Sequence, residues 1–275
     1  MRILISVDIE GVAGVWTAAQ TQFGQPEYER ARRWMSAEAS AAVRGAFAGG
    51  ADEVLVADAH GYYANLLADE LDPRALLIQG KPRRLGMFSG IEQGVDGVLL
   101  IGWHSRSKTG GTLAHSINGA AFARIWLNGL EVGEIGLYAA LAAEFGVPVL
   151  MISACETGAQ EARSLLPQVS CAVVKWAEGA RAGMALSPEA SRNLIEKTAC
   201  EAVQQAGSVA VQHLVEAPVT VRLQCQMPAQ ADVFTLWPAL RRDDAETVSF
   251  DCASVEEAVR SLNALSVMAT SSVLR

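Results

Sequence analysis

The chain opens on an apolar run, residues 3–7, cut off at once by two acids in Asp8-Ile9-Glu10 and by Gly11. A short apolar run bounded by charge reads as a buried β-strand. Similar runs at residues 53–57, 98–102, 147–153 and 169–174 predict further strands. Residues 26–47 set Tyr28, Ala31, Met35, Ala39, Ala42 and Ala46 on one helical face, and Gly49-Gly50 ends that helix. Residues 123–132 read as a hairpin turned at Asn128-Gly129, a pair suited to the positive φ angles of a type I′ turn. A helix is predicted over 134–145. Strands alternating with helices predict an α/β fold, a three-layer α/β/α core with a mostly parallel sheet.

From about residue 185 the texture changes. Ser187 caps a helix that begins at Pro188 and runs to about residue 206. Residues 219–225 alternate like a half-buried strand, and Ser254 with Glu257 forms a capping box before a last helix to about residue 269. The expectation is a main α/β domain over residues 1–185 and a smaller C-terminal α+β lobe over 186–275.

Composition narrows the class. The chain is 51% hydrophobic and 19% charged, the balance of a compact enzyme with some surface left for subunit contacts. A net charge of −8 argues against a nucleic-acid partner. The basic group Arg30, Arg32 and Arg33 has acids beside it and reads as a solvated helix face; Lys81, Arg83 and Arg84 form a second basic group. No apolar run approaches the roughly 20 residues of a membrane span, and residues 1–8 read as a strand, not a signal peptide. Five widely spaced cysteines without a C-x-x-C pair fit reduced thiols and a cytoplasmic location.

The candidate chemistry lies at the strand ends. Asp8 and Glu10, two apart on an extended segment, point the same way, and two such carboxylates repel unless a proton or cation lies between them. His60 follows the second strand in Asp58-Ala59-His60, and His104 follows another in Gly102-Trp103-His104. Ligands of open α/β sheets bind outside the carboxyl ends of the strands, so these four residues point to a metal site. Imidazole with carboxylate suits zinc. Asp58 is either a partner of the His60 imidazole or a cap for the following loop. His115, in a glycine-bearing segment, reads as a general acid or base, a further ligand or a plain loop residue. Glu134 opens a helix, where the helix dipole alone favours a carboxylate. His213 has no acid pair near it in sequence and reads as structural or exposed.

The motifs Ser6-Val7-Asp8-Ile9-Glu10-Gly11, Asp58-Ala59-His60, Gly102-Trp103-His104, His115-Ser116 and Val132-Gly133-Glu134 together resemble the DppA-like D-aminopeptidases, zinc-dependent, self-compartmentalising peptidases. The resemblance spans nearly the whole chain. It implies two Zn2+ per subunit bridged by Asp8, with Glu10 and His60 completing one site and His104 and Glu134 the other. It makes His115 the active-site residue. The implied reaction releases N-terminal D-amino acids, such as D-Ala, from short D-amino-acid peptides or amides. The implied assembly is a homodecamer of two pentameric rings. Ser153-Ala154-Cys155-Glu156 departs from the more acidic, glycine-bearing segment expected there. Three rival readings stand beside this one. They are a two-metal hydrolase of a phosphoester or an L-peptide, a cysteine hydrolase using Cys155, and a non-enzymatic peptide-binding subunit.

Overall fold

In the computed structural model, which describes residues 1–270, the chain begins β1 (Arg2–Val7), α1 (Ala18–Thr21), α2 (Pro26–Ala48), β2 (Glu53–Asp58), β3 (Leu76–Ile78) and β4 (Gly97–Trp103). It continues β5 (Phe122–Leu127), β6 (Leu130–Val132), α3 (Glu134–Glu144), β7 (Val149–Cys155), α4 (Glu156–Leu165), β8 (Ser170–Gly179) and β9 (Ala182–Ala185). The last third holds α5 (Pro188–Gln204), β10 (Val219–Cys225), α6 (Pro228–Phe234), β11 (Arg241–Arg242), β12 (Thr247–Cys252) and α7 (Val255–Met268).

Seven strands form one sheet in the order β3-β2-β1-β4-β7-β8-β9, parallel throughout except for the last pair. The α/β fold with a mostly parallel sheet is the one expected. Alternation along β1 shows how the layers arise: Ile3, Ile5 and Val7 pack with α2 and α5, while Leu4 belongs to the core on the opposite face with α3 and α7. A second sheet, β11-β12-β10-β5-β6, is wholly antiparallel and contributes to that opposite core. It joins the early hairpin β5–β6 to strands from beyond residue 219, whereas α5 packs along α2 on the first sheet. Asn128 and Gly129 turn the hairpin with φ of 48° and 86°, as their type I′ preference requires.

The structure revises some element bounds. β7 starts two residues later than expected because Pro148 precedes it, and β8 extends past residue 174 to pair with β9. The strands β3, β9, β11 and β12 and the helices α1, α4 and α6 lie outside the elements expected from the sequence.

The topology then sets the site. From β1 the chain steps to β2 and β3 on one side, and β4 returns on the other. Open α/β sheets form a crevice where the winding reverses in this way. Val7 pairs with Asp58 of β2 and with Ile101 of β4, so the carboxyl ends of three adjacent strands open into one crevice.

Candidate metal centre

Backbone contact brings two of those strand ends together. Asp8 N–H donates to the Ile101 carbonyl at 2.8 Å, and Gly11 N–H donates to the Gly102 carbonyl at 2.7 Å. A Cβ on Gly11 would lie 2.0 Å from the Trp103 oxygen, and one on Gly102, at φ +69°, would lie 2.3 Å from the Asp8 oxygen. Only glycines permit this approach. Buried Trp103 adds a tie by donating its indole N–H to the Ser6 carbonyl at 3.1 Å.

The side chains beyond these strand ends converge. His60 Nδ1 lies 3.2 Å from Asp8 Oδ1 and 3.1 Å from Glu10 Oε2. His104 Nε2 lies 3.4 Å from Asp8 Oδ2 and 3.6 Å from Glu134 Oε2. Glu134 arrives from the first turn of α3, after the β5–β6 hairpin, and its Oε1 accepts from Ile117 N–H at 2.5 Å. His115 stacks on His104, ring centroids 4.2 Å apart, with its Nε2 3.9 Å from Glu134 Oε1. All six residues named in the sequence therefore meet, and Asp8 stands in the middle.

The far nitrogen of each imidazole is held by a backbone carbonyl. His60 Nε2 reaches Thr21 O at 2.7 Å, His104 Nδ1 reaches Ser105 O at 3.0 Å, and His115 Nδ1 reaches Leu113 O at 3.0 Å. A carbonyl only accepts, so each of these nitrogens carries the proton. In the neutral ring the lone pair then points inward, from Nδ1 in His60 and from Nε2 in the other two.

Burial opposes charge on these groups, and their neighbours answer it. Burial pulls the His60 imidazole down, but Glu10 and Asp8 outweigh it and hold it well above its ordinary value. Burial pulls His104 down as well, and Glu134 with Asp8 raises it well above. Burial pushes the Glu10 carboxyl up, yet His60 holds it well below the usual range, and His104 likewise lowers Glu134. Asp8 is pushed up to about 7, first by burial and then by the Glu10 charge. The cluster attracts positive charge to its centre.

These residues fit a metal. Glu10 Oε2 and His104 Nε2 are buried without a hydrogen-bond partner, and an unmet buried polar atom costs about 1–3 kcal/mol. Two triads, Asp8 with Glu10 and His104, and His104 with His115 and Glu134, hold their ligand atoms within 4.8 Å of one another. Carboxylate oxygens and neutral imidazoles are the donor set of zinc.

Asp58 resolves in favour of the loop. Its carboxylate accepts from Asn65 N–H at 2.6 Å, Asn65 Nδ2 at 2.7 Å and Leu66 N–H at 2.7 Å, so it shapes the segment after His60 and leaves the imidazole to Thr21. Cys155 is fully buried at the end of β7, outside the lining of the central cavity. Sequence reasoning missed Lys175. It is fully buried in β8, and its ammonium donates to the carbonyls of Glu10 and Val15. A lysine within the apolar run Val173-Val174-Lys175-Trp176 was the available signal.

The sequence model of the D-aminopeptidases matches residues 1–264. The chain belongs to the D-aminopeptidase family. Membership makes it an enzyme, a peptidase of the hydrolase class. A D-aminopeptidase of Bacillus subtilis (strain 168) is 34% identical over 271 residues, which is 98% of each chain. The solved structure of the Zn-dependent D-aminopeptidase DppA from Bacillus subtilis, a self-compartmentalizing protease, matches with a TM-score of 0.95. It is 31% identical, with 99% of each chain covered. Among the described residues, no helix is long and apolar enough to cross a membrane.

Proposed function

We propose that this member of the D-aminopeptidase family is a binuclear zinc aminopeptidase that releases N-terminal D-amino acids from short peptides or amides. The observation that carries the reading is the pair of unpartnered buried atoms, Glu10 Oε2 and His104 Nε2, aimed into one cluster with Asp8 at its centre. Asp8 presents one oxygen to His60 and the other to His104, so it faces both halves of the cluster. Glu10 and His60 would hold one ion with it, and His104 and Glu134 the other. When bound, the ions supply Lewis acidity that lowers the pKa of water and polarises a carbonyl.

The remaining steps belong to the chain. His115 is half-buried, lines the cavity and has its Nε2 lone pair directed inward by the Leu113 carbonyl. It accepts a proton from the attacking water and returns it to the leaving amine. The cavity lined by Asp8, His60, His115 and Tyr138 has a volume of about 130 Å³, roughly that of four waters, and so takes a small N-terminal residue. The self-compartmentalizing relative supports a homo-oligomer here too, and the family resemblance supports ten subunits.

Metal analysis coupled to a substrate panel tests the reading. The expected result is two zinc ions per subunit, with D-alaninamide cleaved at least about tenfold faster than L-alaninamide and activity abolished by a chelator. Chelator-resistant turnover, or a preference for aryl phosphate, would reject it.

A further inference from the structure

The cavity at the metal centre does not stand alone. Tyr63, Lys81 and Asn263 line both it and a neighbouring cavity of about 320 Å³. The inner space is small, so a peptide whose first residue occupies it must extend its remainder outward, and these three residues mark where the two cavities adjoin.

Four cations line the outer cavity: Lys81, Arg83, Arg84 and Arg260. Three of them are already engaged. Arg84 and Arg260 both pair with Glu256. Arg83 donates to the carbonyls of Ile78 and Asp58 and stacks its guanidinium 4.1 Å from the centre of the Tyr63 ring. Lys81 and Arg83 both lack a carboxylate in ion-pair reach among the described residues, but Arg83 is held by two carbonyls, whereas the exposed Lys81 ammonium sits 4.9 Å from the same ring and donates only to the Gly61 carbonyl, at 3.3 Å. On α7, Asn263 lines both cavities, and its amide nitrogen is buried beside the Tyr138 hydroxyl without a well-aligned hydrogen bond. An exposed cation and an amide N–H donor where the two cavities adjoin are complementary to a carboxylate.

We propose that Lys81 and Asn263 form the subsite for the free C-terminal carboxylate of a short peptide, so that the enzyme selects substrates a few residues long with an unblocked end. This rests on the aminopeptidase reading of the adjoining metal centre. A longer chain carries its carboxylate past Lys81, and an amidated one has no charge to offer. Lys81 is thereby a specificity-determining residue.

The test compares kcat/KM of the zinc-loaded enzyme for D-alanyl-D-alanine and for its C-terminal amide, in wild type, Lys81→Met and Lys81→Arg. Wild type is expected to favour the free acid. The ratio of acid to amide should fall about tenfold in Lys81→Met and recover in Lys81→Arg. An unchanged ratio in Lys81→Met, or an equal loss on both substrates, would overturn the subsite while leaving the aminopeptidase intact. A wild type that cleaves neither substrate would overturn both readings.

Discussion

Two clusters of buried ionisable groups lie on either side of the loop that follows β1. On one side Asp8, Glu10, His60, His104, His115 and Glu134 turn their polar atoms toward one another. On the other, Glu38 accepts from Ala13 N–H at 3.1 Å and from the Ser191 hydroxyl at 2.6 Å, while Lys175 ties down the carbonyls of Glu10 and Val15. Both clusters contain a carboxyl pushed up to about 7, Asp8 in the first and Glu38 in the second. A displaced pKa therefore does not separate function from structure. What separates them is the direction of the lone pairs. In the first cluster three imidazoles, oriented by backbone carbonyls, aim at shared carboxylates. The second distributes its hydrogen bonds over α2, α5 and the loop, and stitches them together.

The contrast predicts different failures. Asp8→Ala should lose both ions and about 10⁴-fold or more in kcat/KM. Its companion His115→Ala should lower kcat by about 10²–10³ with zinc retained. If His115→Ala also lost zinc, the residue would be a ligand and the division of roles would fail. Glu38 should show in stability instead of chemistry. Its folded pKa of about 7 lies above the ordinary 4.5, so the folded chain keeps a proton that the unfolded chain releases. Stability from this group is full below pH 4.5 and drains away as pH rises toward 7. Glu38→Gln cannot ionise, so unfolding free energies from urea titration should move in its favour by roughly 3 kcal/mol across that window. A pH-independent gap between variant and wild type would contradict this. The smallest effect is expected where the clusters touch. Lys175→Met frees the Glu10 carbonyl, and zinc affinity in a chelator competition should weaken by about tenfold with the fold retained. Unchanged affinity would show that the second cluster does not position the first.

Much of the site was legible because its residues sit where apolar runs stop. Asp8, His60 and His104 each follow a strand whose pattern is visible, and a parallel sheet brings such ends to one edge. Glu134 was harder: it opens α3 just after a hairpin that belongs to the second sheet, and nothing in its local sequence distinguishes a ligand from a carboxylate on a helix dipole. Lys175, Glu38 and Asn263 were not singled out at all. Their partners are distant in sequence, as with Lys175 and the Glu10 carbonyl 165 residues away, and periodicity carries no record of such pairs. The fold class was read for the same reason that the candidate ligands were. The division of strands between two sheets depends on pairing between the hairpin and β10, which local patterns do not encode.

Gly11 and Gly102 press the arms bearing Asp8 and His104 together, main chain against main chain, with no side chain as spacer. The gauge of the candidate metal cage is therefore fixed by covalent dimensions. This chain keeps the fold of its solved Bacillus subtilis counterpart although fewer than a third of the residues are identical to it, at 31%. At these two glycines drift has nowhere to go, since even an alanine would prise the cage open.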